Sequence, residues 1–158
     1  ESQSNFKNLI QIISLVRNIR SELNIPYKNK IIVNINNKNT NFINFIESYE
    51  NEITRLLKLE KLLLNDQSIK SKGSANLISS ESIIIIPLKG IVDTKNEIIK
   101  LNLRRNKEKL ELEKLNNKLQ NNDFIQKAPK NVVLQFKNQF KDINSSIEKI
   151  DEIINTIK

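Results

Sequence analysis

The chain has 158 residues, 26 of them Lys or Arg and 18 Asp or Glu, for a net charge of +8, with no His, Cys, Met or Trp. Those absences exclude zinc fingers, Ser-His-Asp triads, thiol nucleophiles, haem ligation and disulfides, so the expected setting is reducing and cytoplasmic. The longest apolar run, Ile83 to Ile86, is far too short for a membrane span, and 38% hydrophobic residues can support a packed core.

The first element is an amphipathic helix over residues 4–24, with Leu9, Ile12, Val16, Ile19 and Leu23 at helical spacing and Pro26 as its stop. Arg20 borders this stripe, and its stem is expected to lie on the rim with the guanidinium in water. The stripe has no helical partner nearby in the sequence. An exposed seam is therefore expected, as in a piece of a longer protein.

Between residues 30 and 90 the period changes. Ile31 to Ile35, Leu62 to Leu64, Ala75 to Ile78 and Ser82 to Leu88 read as strands, and Phe42, Ile46, Tyr49, Ile53 and Leu56 follow one helical period. The expectation is a four-stranded sheet with one packed helix. Four successive isoleucines leave the last strand without a polar face, which predicts a central strand covered on both sides. The stretch Lys70-Ser71-Lys72-Gly73-Ser74 has one Gly and no helix signal after it, so it reads as a solvated turn and not a phosphate loop.

From Asp93 onward two long helices are expected, because almost nothing breaks them except Ala128-Pro129. Thr94-Lys95-Asn96-Glu97 has capping-box spacing, and Pro129 suits the first turn of the second helix. The second helix carries two heptad series, Val133/Phe140/Ile147/Ile154 and Phe136/Ile143/Ile150/Ile157. The facing seam is Ile98, Leu101, Leu112, Leu115 and Leu119. It is interrupted by Arg105 and Glu108, so the middle of the hairpin should pack least well. A connection over residues 121–128 forces the helices antiparallel. The fold class is therefore α+β, predominantly helical, with a small sheet and a long coiled-coil hairpin.

By count, 27 Ile, 25 Asn and 21 Lys share codons rich in A and T, so the placement of charge says more than its total. Residues 100–141 hold 11 basic and 4 acidic side chains, whereas the rest of the segment from 91 to 158 holds 3 and 6. The hairpin is basic in its outer part and acidic at its root. That polarity suits phosphates at the tip. The competing reading is that Arg104, Arg105 and Lys107 balance Glu148 and its neighbours across the hairpin. Phe124 and Ile125 in the connection either stack on a nucleobase or plug the hairpin end against Leu119 and Val132.

PLKGIVDTKNEIIKL (residues 87–101) and KLQNNDFIQKAPKNVV (residues 118–133) resemble the carboxy-terminal region of valyl-tRNA synthetase. VRNIRSELNIP (residues 16–26) resembles the last helix of the anticodon-binding helical domain that the valine, isoleucine and leucine enzymes share. The resemblance implies three parts: residues 1–28 from that helical domain, 29–90 as a small α/β segment, and 91–158 as a coiled-coil arm leaning on the outer corner of tRNA. It implies a parent that attaches valine to tRNA using ATP with Mg, and a monomer whose partners are tRNA and the rest of the synthetase. No catalytic, cofactor or metal residue is expected in this stretch, which should neither activate valine nor charge tRNA alone. Charge placement joined to the resemblance nominates Arg104, Arg105, Lys107, Lys114, Lys118, Lys127 and Lys130 for RNA phosphates, with Phe124 as a stacking platform. The alternative is a coiled-coil protein-interaction module with no RNA role.

Overall fold

The computed structural model describes residues 2–158 and divides them into two compact units, one of residues 2–97 with 156–158 and one of residues 98–155. The first unit opens with helix α1 (Ser2–Glu22). Pro26 does not stop it. The Ile25 amide donates to the Arg20 carbonyl and the Asn24 amide to that of Ser21, with Asn24 at φ +53°, which is a Schellman ending built on a left-handed Asn.

Four strands follow, β1 (Ile31–Asn36), β2 (Leu59–Leu64), β3 (Ser74–Ser79) and β4 (Ser82–Pro87), in the order β2-β1-β4-β3. β1 and β2 are parallel, and the other two pairings are antiparallel. A parallel pair needs a crossover, and this one carries α2 (Thr40–Ser48) and α3 (Glu50–Leu57) where the periodicity predicts a single helix. No Gly or Pro marks the break at Tyr49. There Phe45 and Tyr49 meet Phe6 of α1 at ring separations of 4.9 and 5.4 Å, a cluster drawn from two distant segments. The break also shifts the helical phase, so Leu57 is buried in place of the expected Leu56.

The seam of α1 is not exposed. α1 packs against β3, α2 and α3, and Leu9, Ile12, Val16 and Ile19 are buried with Phe42, Ile46, Ile53, Val33, Ile35, Ile84 and Ile86. β4 is central as expected, yet its second face is only partly covered. Ile85 is buried there, while Ile83 is 48% exposed and its β3 partner Ile78 is 75% exposed. Alternating side-chain direction, and not residue type, separates the two faces.

Arg20 reverses the expectation made for it. It is 3% exposed, and its guanidinium donates to the carbonyls of Leu57 (3.0 Å), Pro26 (3.3 Å), Tyr27 (3.4 Å) and Asn29. Leu57 ends α3, where free carbonyls and the helix dipole both favour a cation. Burial lowers the Arg20 pKa, against a smaller opposing effect of Tyr27. The Asn-rich segments do comparable work. Asn39 caps α2 by accepting from the Phe42 amide, and fully buried Asn34 exchanges two hydrogen bonds with the Asp66 backbone.

The second unit is the hairpin of α4 (Thr94–Gln120) and α6 (Lys130–Ile157), joined by a short helix α5 (Asn122–Lys127) where a loop is expected. α4 is capped one residue earlier than the capping box suggests, by Asp93, whose carboxylate accepts from the Asn96 amide. α6 likewise starts at Lys130, just after Pro129, whose carbonyl receives the Val132 and Val133 amides. Along α6 Val133, Ile147, Ile150 and Ile154 are buried, as the heptad requires. Between Val133 and Ile147 the seam residues Phe136, Phe140 and Ile143 are only half-buried. Ile147 is thus a core position, and Ile147→Val should lower the hairpin's stability by about 0.5–1.5 kcal/mol. Exposed Asn144→Ala should leave it within a few tenths. Equal denaturant midpoints for the two variants would place the seam elsewhere.

Candidate nucleic-acid interface

The hairpin's polar side chains sort into those held within it and those left free. Arg105 donates to Asp151 Oδ1 and to Asn102 Oδ1, both at 2.7 Å, from a side chain that is 28% exposed. Its partner across the seam is Asp151, one turn from Glu148, so for Arg105 the charge-balancing reading holds. Arg104 donates through Nε to Glu108 (3.1 Å) and through a terminal nitrogen to Ser146 (3.2 Å), whose hydroxyl also donates to Glu108 (3.0 Å). The sequence separation of these partners falls from 46 for Arg105 and Asp151 to 38 for Glu108 and Ser146, the mark of antiparallel helices.

This network fills the break in the apolar seam. Arg105 Nε and Glu108 Oε2 are buried there with no hydrogen-bond partner among the described residues, so the polar middle holds register more than it adds stability. Asn102, Ser146 and Asp151 were not singled out in the sequence. The signal that could have found them is the pair of charges at heptad positions, which demands polar partners on the facing helix.

The lysines behave differently. Lys107, Lys114, Lys127 and Lys130 are exposed, and among the described residues none is paired with a carboxylate. Lys114 edges an open cleft of about 440 Å³ between α4 and α6, lined also by Glu111, Leu115, Gln139, Asp142 and Ile143. At the tip Asn121 caps α5 by accepting from the Asp123 and Phe124 amides. The Phe124 ring meets Phe136 edge-on at 5.4 Å, which gives it an aromatic partner on α6 at the hairpin end. Lys118 Nζ lies 4.8 Å from the Phe136 ring centre and 5.6 Å from that of Phe124. The ammonium is thereby positioned over two aromatic rings while remaining exposed. Phe124→Ala should cost about 0.5–1.5 kcal/mol for the aromatic pair and speed amide exchange at the tip. Unchanged exchange at residues 118–136 would show that the ring does not hold the tip together.

Among the described residues no group of three acidic side chains is placed to hold a metal ion, and no helix is long and apolar enough to cross a membrane. What the hairpin offers is a surface of point charges on a helical scaffold.

Such a chain is an arm-bearing module, a packed mixed-sheet unit and a hairpin whose outer half is lysine-rich. Residues 93–158 match the family described as the valyl tRNA synthetase tRNA binding arm. Over its whole length the chain is similar to valine–tRNA ligases. Over 158 residues it is 31% identical to the valine–tRNA ligase of Listeria monocytogenes and 30% to that of Desulfotalea psychrophila, in each case covering 100% of this chain and 18% of the relative. The Aquifex aeolicus valine–tRNA ligase is 29% identical over 158 residues, which make up 13% of its length. The chain spans less than a fifth of these relatives.

Proposed function

We propose that this chain is the tRNA-binding end of a valine–tRNA ligase, whose arm braces tRNA through backbone phosphates. The observation that carries the reading is a coincidence. The segment that matches the tRNA binding arm also concentrates the chain's positive charge, 11 basic against 4 acidic side chains over residues 100–141, and among the described residues its exposed Lys107, Lys114, Lys127 and Lys130 are not paired with a carboxylate. About three phosphate contacts are drawn from Lys107, Lys114, Lys118, Lys127 and Lys130 with Arg104 at the exposed edge, and Phe124 offers a ring for a base to stack on. Arg105 serves mainly inside the arm, because its terminal nitrogens are already engaged.

Within this reading residues 1–28 are the end of an anticodon-binding helical domain, 29–90 a linking α/β segment, and 91–158 the arm. The remainder of the ligase joins valine to tRNA with ATP and Mg, in the cytoplasm, and this part acts as a monomer. Exposed lysines exchange counterions for phosphates with little regard to sequence. The test is a salt titration of tRNA binding by the chain. The arm should contribute a slope of roughly −2 to −3 in log affinity against log salt, for about three phosphates. Binding that ignores salt would overturn the reading.

One observation favours a second reading. Ile99, Leu103 and Leu110 lie close to one line along α4 and are all exposed, as a helix-docking face would be. Concentration-dependent sedimentation without tRNA binding would support that protein-interaction role.

A further inference from the structure

The lysine-serine turn that the hairpin reading leaves unused is brought against a second basic segment by the fold. Lys70 and Lys72, before β3, line a cavity of about 600 Å³ together with Lys89 and Lys95, which lie 17 or more residues further along the chain. All four are exposed, and none is paired with a carboxylate among the described residues. Asp93 is the only acidic residue of the lining, and its Oδ1 accepts from the Asn96 amide. The loop is pinned in place. The Ser74 hydroxyl donates to the Lys70 carbonyl, Asn76 Nδ2 to the Ser71 carbonyl, and the Leu88 amide reaches across to the Gly73 carbonyl.

The background excess of Lys does not account for this. Two other cavities of the same unit carry Glu81 in their linings, one with Lys38 as its single lysine and one with none. Positive charge is therefore concentrated at one place.

We propose that this cavity is a second phosphate-binding surface of the chain, one that takes backbone phosphates of RNA. It extends the tRNA-binding reading above and rests on it. The chemistry favours an extended polyanion over a small phosphate compound. A small phosphate is normally cradled by converging backbone amides, with glycines that let it approach closely. Here Gly73 and Gly90 sit at φ +75° and +80° and a Cβ on either would meet nothing within 4 Å, so they answer a turn requirement and leave no cradle. What remains is a set of flexible ammonium groups over an open depression. Those groups act as point charges, suited to phosphates spaced along a strand.

The experiment measures tRNA affinity against salt for the 158-residue chain and for a variant with Lys70, Lys72, Lys89 and Lys95 all changed to Gln, with circular dichroism confirming the fold. With about two phosphates lost, affinity near 0.1 M salt should fall roughly tenfold and the slope should flatten by about 1.5–2. The matching four-Arg variant should retain wild-type affinity and slope, which a role confined to folding would not predict. An unchanged slope in the Gln variant, with binding still lost on neutralising the arm lysines, overturns the second surface and leaves the arm reading standing. Inorganic pyrophosphate binding that the Gln variant abolishes, with tRNA affinity untouched, overturns it in favour of a small phosphate ligand. A wild-type chain that binds no tRNA removes both readings together.

Discussion

Replacing Arg20 by Leu should lower the stability of the sheet unit by roughly 3–5 kcal/mol, the loss of at least two hydrogen bonds from a charged donor. For about 100 residues that is a fall in Tm on the order of 15 °C or more. The size follows from where the acceptors lie. The Leu57 carbonyl at the end of α3 is reached by a buried bond, and the Pro26, Tyr27 and Asn29 carbonyls belong to the loop that leads into β1. One side chain ties α1, that loop and the crossover together, while its ring contact with Tyr27, 5.2 Å from the guanidinium carbon, closes the outer side. Leu supplies the stem but no donor, so the Leu57 carbonyl keeps its desolvation cost without its partner. Arg20→Lys should recover part of the loss, because one ammonium can serve fewer acceptors than a planar fork. Thermal and urea unfolding read the result. A melting point within two degrees of wild type for Arg20→Leu would mean that water replaces the guanidinium freely.

The second large effect is on RNA. Changing Lys114, Lys127 and Lys130 together to Gln should weaken tRNA binding about tenfold or more near 0.1 M salt and flatten the salt slope by roughly 2–3. Lys118 is left in place deliberately. Its ammonium lies over Phe124 and Phe136, so removing it would mix a loss of charge with a looser tip. The three chosen lysines are exposed and, among the described residues, not paired with a carboxylate, and their neutralisation should leave helicity and melting unchanged. In the longer ligase proposed above, the same variant should raise KM for tRNA while valine activation proceeds as before. Affinity and slope both equal to wild type would reduce the basic outer arm to a solvated surface and strengthen the helix-docking alternative.

The hairpin was legible in the sequence because its determinants are local and repeated. Four heptads on α6, breakers confined to the connection, and apolar partners on α4 leave one arrangement that buries both stripes. The four strands were legible for a similar reason, since each is a short β-branched or apolar run between turn signals. A polar break in the seam could be read from Arg105 and Glu108, although the half-buried Phe136, Phe140 and Ile143 lie further along α6 toward the tip and Ile147 and Ile150 beside the break are buried. The partners of Arg105 and Glu108 could not. Asp151 and Ser146 lie on a helix whose register against α4 is settled by the whole length of the hairpin, and several acidic residues compete on charge alone.

The remaining differences share that origin. Periodicity carries α2 through Tyr49 unbroken, and the break falls where Phe6, brought in from α1 by packing, meets the rings of Phe45 and Tyr49. Arg20 looks like a rim residue on a helical wheel, because nothing near it in sequence announces that the end of α3, 37 residues away, will present a carbonyl to it. Lys70 and Lys72 form an ordinary turn until the fold places Lys89 and Lys95 across the same cavity. Helix, strand and heptad follow from side-chain spacing within a few turns of chain, and these the sequence determined by itself. Burial of a charge, the end of a helix within an unbroken pattern and the gathering of like charges depend on partners far along the chain, and only the tertiary structure decided them.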